Sequence, residues 1–209
     1  MFRNLFNPES PLMVTMTQIT DCIFLSLFWL LGCFPVVTMG ASFAALYDAT
    51  FRCFRRGEKN SWRRFAKVFR ENWKAGILPT VVFLVAVVCS SRGLIWMWNS
   101  AVAGNVSWAV FSGVAFFGMV VMGTISLLFP VFSRFENSLA GLLRNTVLLA
   151  LANLPRTLIL GILNTLAALA CLRYILPVFI LPSLAALLGS LLIEPMFKPF
   201  LNQNEDAAA

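Results

Sequence analysis

The sequence predicts an all-α protein: a polytopic transmembrane helix bundle of about five spans, with cytoplasmic amphipathic helices between them. Of the 209 residues, 59% are hydrophobic and 12% are charged, whereas a soluble domain carries about 25% charged residues. Half the usual charge cannot cover a water-soluble surface, so lipid must be the main solvent. The net charge of +7 comes from one segment, residues 51–74, which holds nine basic and two acidic residues.

The first apolar run covers residues 22–47 and is longer than one helix needs to cross a hydrocarbon core of about 30 Å. Pro35 and Gly40 interrupt it, and a proline inside a helix kinks or breaks it. We therefore predict a span over about 19–35 that continues as a broken helix to residue 50. The sequence leaves open whether residues 36–50 form a separate span, which would move the amino terminus to the cytoplasmic side.

The basic segment follows this broken helix, and the positive-inside rule places loop 51–75 in the cytoplasm. Residues 61–74 have the periodicity of an amphipathic helix. Its two faces carry an aromatic set, Trp62, Phe65, Phe69 and Trp73, and a cationic set, Arg63, Lys67, Arg70 and Lys74. Such a helix lies on a membrane surface that contains anionic lipids, docks a partner, or packs against the bundle. The sequence leaves these alternatives open.

Four further apolar runs complete the predicted bundle. We expect them to span the membrane at about 76–98, 107–130, 157–172 and 177–193, with a second cytoplasmic loop over 131–156. Tryptophans cluster at the predicted outer boundary of the second and third spans, as in an interfacial aromatic belt: Trp96, Trp98 and Trp108. We predict that residues 1–209 form a single integral membrane domain.

Ionisable residues near the ends of the spans are the first candidates for a functional site, because charges at membrane depth are costly. Asp21, Arg92 and Arg173 all fall at predicted outer ends, so we predict that Asp21 contacts one of the two arginines. Either these residues form an interfacial ion pair with snorkelling side chains, or they line a polar site for a solute.

The interruption of the first span is a second candidate, at Pro35, Thr38 and Gly40. A broken helix frees backbone N–H and C=O groups, which transporters use to hold ligands near the centre of the membrane. The alternative is a tight connection between two helices, with a structural role only.

The chain lacks the residue sets of the common catalytic and metal sites. It contains no histidine, and its five cysteines show no CxxC spacing, which excludes imidazole chemistry and argues against a zinc site or a disulfide framework. Its carboxylates fall on both predicted sides of the membrane, so they form no hydrolase pair. We therefore expect no enzyme activity, no cofactor and no metal. We attribute the basic loop to topology and anionic lipid rather than to nucleic acid.

Three stretches carry a resemblance to a known family. They are Phe34-Pro35-Val36-Val37-Thr38-Met39-Gly40-Ala41 with the following Ala45-Leu46-Tyr47, then Arg55-Arg56-Gly57-Glu58, and then Phe69-Arg70-Glu71-Asn72-Trp73-Lys74. Through them the chain resembles the YesL-like family of bacterial integral membrane proteins, a family of unknown biochemical function. The resemblance implies a multi-pass protein of the bacterial cytoplasmic membrane, and it brings no catalytic residues.

The same resemblance implies a role, because the relatives often lie among sugar-uptake and polysaccharide-use genes. We therefore expect an accessory or interaction subunit associated with carbohydrate uptake or use, with sugar-permease subunits as candidate partners. The alternative is a solute transporter or channel component that self-associates as a homodimer.

Overall fold

The structure is a computed structural model that describes residues 11–55, 60–134 and 139–206, with side chains described over 16–55, 60–133 and 140–197. The described residues form eight α-helices and no strand. The helices are α1 (Pro11–Cys33), α2 (Met39–Thr50), α3 (Ser61–Asn72), α4 (Ile77–Val102), α5 (Trp108–Arg134), α6 (Leu139–Ala152), α7 (Leu154–Arg173) and α8 (Leu181–Asp206). Short helical turns of other types occur at Val36–Thr38, Phe51–Arg55 and Leu176–Phe179.

Four stretches of helix are long and apolar enough to cross a membrane: Met16–Cys33, Ile77–Val102, Trp108–Ser133 and Leu154–Arg173. The apolar part of α8, Leu181–Phe197, is shorter. Large apolar side chains point outward from these helices, as lipid rather than water would permit, among them Val85, Ile95, Phe117, Leu166 and Leu169. The predicted fold class, an all-α bundle of about five spans, is confirmed.

The first apolar run forms a helical hairpin rather than one kinked helix. After the turn at Val36–Thr38, α2 returns antiparallel to α1, so that Gly32 lies against Ser42. Nearer the other end of the hairpin, Leu25 packs in one cluster with Ala45 and Ala49. Almost every residue of α2 is buried. The amino-terminal half of α1 and the end of α2 therefore lie on the same side of the molecule.

The basic helix α3 runs back along this hairpin, parallel to α1. Ser61 at its start bonds to Asp21, the ring of Phe65 packs beside Phe28, and Phe69 lies near Gly32. These contacts follow the same order along both helices, which fixes their common direction. The helices α1, α2 and α3 thus form one unit, and α3 covers one side of α1.

The remaining helices pack around α5. Phe83 of α4 and Phe43 of α2 both contact Phe129 near the end of α5, with ring centroids 5.0 and 5.1 Å away. A buried cluster joins this end of α5 to α2, α6, α7 and α8: Tyr47, Leu127, Leu128, Phe129, Val131, Leu142, Leu149, Ala150, Leu160, Ile193, Met196 and Phe197. The helices pack most closely where α5 and α7 cross, at Gly123 and Gly161.

The hairpin predicts that the start of α1 and the basic segment lie on one side of the membrane. In a chain freed of its native cysteines, Gln18→Cys and Asn60→Cys should resist an impermeant maleimide in intact cells, because the positive-inside rule makes their side cytoplasmic. Val102→Cys, at the far end of α4, should react. All three positions are exposed. Different reactivity of Gln18→Cys and Asn60→Cys would contradict the hairpin arrangement, which places both positions at the same end.

Candidate functional site

The start of α3 is defined by a backbone turn and one buried hydroxyl. Asn60 precedes the helix with a positive φ of 70°, in the left-handed region that asparagine tolerates better than most residues. The hydroxyl of the buried Ser61 donates to Oδ1 of Asp21 at 2.9 Å. The amino-terminal end of α3 is therefore bonded directly to α1.

Asp48 is the most deeply buried carboxylate among the described residues, with 3% of its side chain exposed. Its Oδ1 accepts a hydrogen bond from Nε of Arg52 at 3.0 Å, and its Oδ2 accepts one from Nε of Arg64 at 2.5 Å. Arg52 is one turn further along the chain, whereas Arg64 belongs to α3. This ion-pair cluster therefore binds α3 to the end of α2, with charge-assisted bonds to both carboxylate oxygens.

Two further polar contacts join the same region to α8. Nη1 of Arg55 donates to the carbonyl of Ser190 at 3.2 Å, and the hydroxyl of Tyr47 donates to Oε1 of Glu194 at 3.1 Å. Polar contacts in this region therefore involve α1, α2, α3 and α8, and two of them, Ser61 with Asp21 and Arg64 with Asp48, hold α3 in one rotational setting.

That setting divides the aromatic residues of α3 between two environments. Phe65 is buried together with Val68, and Phe69 is half-buried. Trp62 and Trp73 remain 48% and 47% exposed. The buried side is thus centred between Phe65 and Val68, and the two tryptophans lie along its border.

Four cations on α3 and directly after it point away from the bundle. Arg63, Lys67, Arg70 and Lys74 are exposed, and together with Trp62 and Trp73 we call them the α3 outer face. The guanidinium of Arg63 lies 5.1 Å from the Trp62 ring, and the ammonium of Lys74 lies 5.3 Å from the Trp73 ring. A shallow depression on this face is lined by Trp62, Arg63, Ala66, Lys67, Arg70 and Glu71.

The segment at Pro35, Thr38 and Gly40 is a tight helix connection. The hydroxyl of Thr38 lies 2.7 Å from the carbonyl of Gly32 and 2.9 Å from that of Pro35, at the end of α1. The N–H of Gly40 donates to Thr80 of α4 at 2.8 Å. A side chain at Gly40 would lie 2.7 Å from the carbonyl of Gly76, so glycine allows α2 to approach α4.

The predicted contact of Asp21 with Arg92 or Arg173 is wrong. Asp21 lies beside Ser61 at the start of the basic helix, and both arginines are exposed without an ion pair among the described residues. The reason is the hairpin, which brings the start of α1 back to the basic segment. Arg92 precedes Trp96 by one helical turn, so its side chain can snorkel toward the interfacial tryptophans.

Asp48 and Arg64 are the site residues that sequence reasoning missed. The spacing of four between Asp48 and Arg52 was a detectable signal for an ion pair on one helix. The pairing with Arg64 depends on how α3 folds back onto α2, which no local pattern reveals. No cluster of potential metal ligands occurs in the parts of the chain that the structure describes.

These features define a polytopic helical membrane protein with a basic helix bound to its first hairpin. Residues 22–91, about a third of the chain, match the family model described as "Protein of unknown function, DUF624", which is the YesL family. The resemblance predicted from the sequence is therefore confirmed over that segment, which contains the second half of α1, all of α2 and α3, and the first part of α4. No curated protein and no solved structure matches the chain.

Proposed function

We propose that this protein is a non-catalytic accessory or interaction subunit of a bacterial cytoplasmic membrane, associated with carbohydrate uptake or use. The carbohydrate association rests on the YesL-like resemblance. The observation that best supports a non-catalytic role is the bonding of Asp48, whose two oxygens are both occupied by arginines of the protein. A carboxylate that is 3% exposed and paired with two arginines stabilises the fold and is not accessible to a substrate.

The other polar groups inside the bundle support the same proposal. Asp21 bonds to Ser61, Glu194 bonds to Tyr47, and the hydroxyls of Ser26 and Ser183 bond to each other at 3.0 Å. Each of these contacts joins two different helices. Their common effect is to fix how the helices pack, which suits a protein that presents a surface to other molecules.

The alternative, a solute transporter or channel component, receives less support from the interrupted span. A ligand site in a broken helix needs free backbone groups that face a cavity. At this break the carbonyls of Gly32 and Pro35 lie within hydrogen-bond distance of Thr38, and the N–H of Gly40 bonds to Thr80. A transporter formed by this chain would need its polar route elsewhere.

Co-purification tests the accessory role. The tagged full chain should be extracted in mild detergent from cells grown on a plant polysaccharide and, separately, on glucose. A sugar-permease subunit, identified by mass spectrometry and enriched only after growth on the polysaccharide, is the expected result. A tagged polytopic protein of similar length from an unrelated family serves as the control. A stable homodimer without a permease subunit would instead favour the transport alternative.

A further inference from the structure

The α3 outer face lies next to an exposed apolar surface on α1. Phe24, Phe28 and Leu31 of α1 are all exposed, Leu31 by 68%. At 100° per residue, Trp62, Phe69 and Trp73 fall within about 40° of one another on α3. Their side of α3 is the one that faces α1, because Phe69 lies against Gly32.

The opposite flank of α3 faces α2, because Arg64 lies there and bonds to Asp48. Across the surface of the unit, the order is therefore apolar side chains on α1, tryptophans at the border, and then the four cations of the outer face. With α1 and α3 lying along the membrane surface, this order matches that of a membrane from its centre outward: hydrocarbon, the interfacial layer that tryptophan prefers, and the phosphate groups.

We propose that the α3 outer face binds the headgroups of anionic phospholipids, with Trp62 and Trp73 in the interfacial layer and the cations at the phosphates. This site goes beyond the accessory role and does not depend on it. Arg63, Lys67, Arg70 and Lys74 carry four positive charges, and the acid beside them is Glu71, whose carboxylate lies 4.0 Å from Lys67. The face therefore keeps a net positive charge that an anionic surface would neutralise.

The tryptophan border favours a lipid surface over an acidic protein as the occupant. A protein partner held by charge alone would need only the cations. Here two half-exposed indoles extend the apolar surface of α1 to the edge of the cationic row. In addition, the rings of Trp62 and Trp73 each lie within cation–π distance of a cation of the same face. Ring and charge thus reach the membrane surface together.

Lipid retention by the purified full chain tests this site. The protein is equilibrated in nanodiscs of phosphatidylcholine with a minor fraction of phosphatidylglycerol, extracted in neutral detergent, and analysed by native mass spectrometry. We expect phosphatidylglycerol to be enriched over its bulk fraction. In a variant with Arg63→Gln, Lys67→Gln, Arg70→Gln and Lys74→Gln, the enrichment should fall at least about fivefold. A single cation near an anionic surface contributes about that factor to the affinity.

The matched control is Arg92→Gln with Arg173→Gln, which removes two exposed cations elsewhere and should leave the enrichment unchanged. The outer-face variant should keep the wild-type unfolding temperature, because its four side chains are exposed. Inorganic phosphate at millimolar concentration should not displace the lipid, which separates a membrane surface from a site for a free anion. High salt should weaken the enrichment, because it shortens the screening length to about 3 Å at 1 M.

Two results would overturn the proposal. Unchanged phosphatidylglycerol enrichment in the folded outer-face variant would show that the lipid binds elsewhere. Unchanged enrichment combined with loss of a co-purifying protein would assign the face to protein docking instead. A failure of the accessory role leaves the lipid enrichment untouched, because that measurement does not use a permease subunit.

Discussion

Replacing Asp48 with alanine should lower the free energy of unfolding by up to about 3–5 kcal/mol, the cost of removing one partner from a fully buried ion pair. Asp48 is 3% exposed and compensates two arginines at once. Without it, the guanidinium groups of Arg52 and Arg64 lose the carboxylate to which both bond at the α2–α3 contact. Unfolding of the purified protein in detergent, followed by circular dichroism during a denaturant titration, measures the loss.

Two variants separate this effect from a general loss of charge. Glu71→Ala removes an exposed carboxylate from a 4.0 Å pair with Lys67 and should cost below about 1 kcal/mol. Combined replacement of Asp48, Arg52 and Arg64 by leucine or methionine should cost less than Asp48→Ala alone, because no charge is left uncompensated. If Asp48→Ala is no worse than Glu71→Ala, the ion-pair cluster does not hold α3 in place.

The span helices could be predicted because their signal is local. A run of apolar residues of sufficient length identifies a spanning helix without knowledge of its neighbours. Accordingly, α4 begins at Ile77 and α5 at Trp108, within a residue or so of the starts expected from hydropathy. The amphipathic helix was likewise visible from its periodicity, and the structure forms α3 over Ser61–Asn72.

The same reasoning could not predict the arrangement of the first hairpin. Hydropathy gives the depth of a residue but not which helix lies beside it, so Asp21 could be placed at the wrong end of the bundle. The turn at Val36–Thr38 decides the matter, because it reverses the chain and returns α2 along α1. The contact between Asp21 and Ser61 follows from that reversal.

The rotation of α3 about its own axis is another feature that the sequence pattern does not predict. Its aromatic residues suggest one face, yet the buried side is centred between Phe65 and Val68. Arg64 explains the difference, since its bond to Asp48 rotates the helix toward α2. A hydrophobic pattern does not contain this information, because the bond joins residues on different helices. The Arg64–Asp48 and Ser61–Asp21 bonds together set the side of α3 on which the tryptophans and the proposed lipid site lie.

A leucine at Gly123 should disrupt the bundle, and this is the second large effect that we expect. Even a β-carbon at Gly123 would overlap the carbonyl oxygen of Thr157 on α7. Opposite it, a β-carbon at Gly161 would lie 2.5 Å from the carbonyl oxygen of Met119. Small residues allow membrane helices to approach this closely, and the close approach itself supplies the packing energy. Because the obstacle is backbone, no side-chain rotation can relieve the overlap.

The expected loss for Gly123→Leu is therefore at or above the upper end of the ~1–3 kcal/mol that overpacking costs. Gly113→Leu is the matched control, since it makes the same change on the same helix where nothing lies within 4 Å of the added β-carbon. The control should stay monodisperse on size exclusion in detergent with the wild-type unfolding midpoint, whereas Gly123→Leu should aggregate or unfold much earlier. Equal behaviour of the two variants would mean that α5 and α7 do not meet at this crossing. Destabilisation by both would point instead to an intolerance of α5 to leucine, independent of α7.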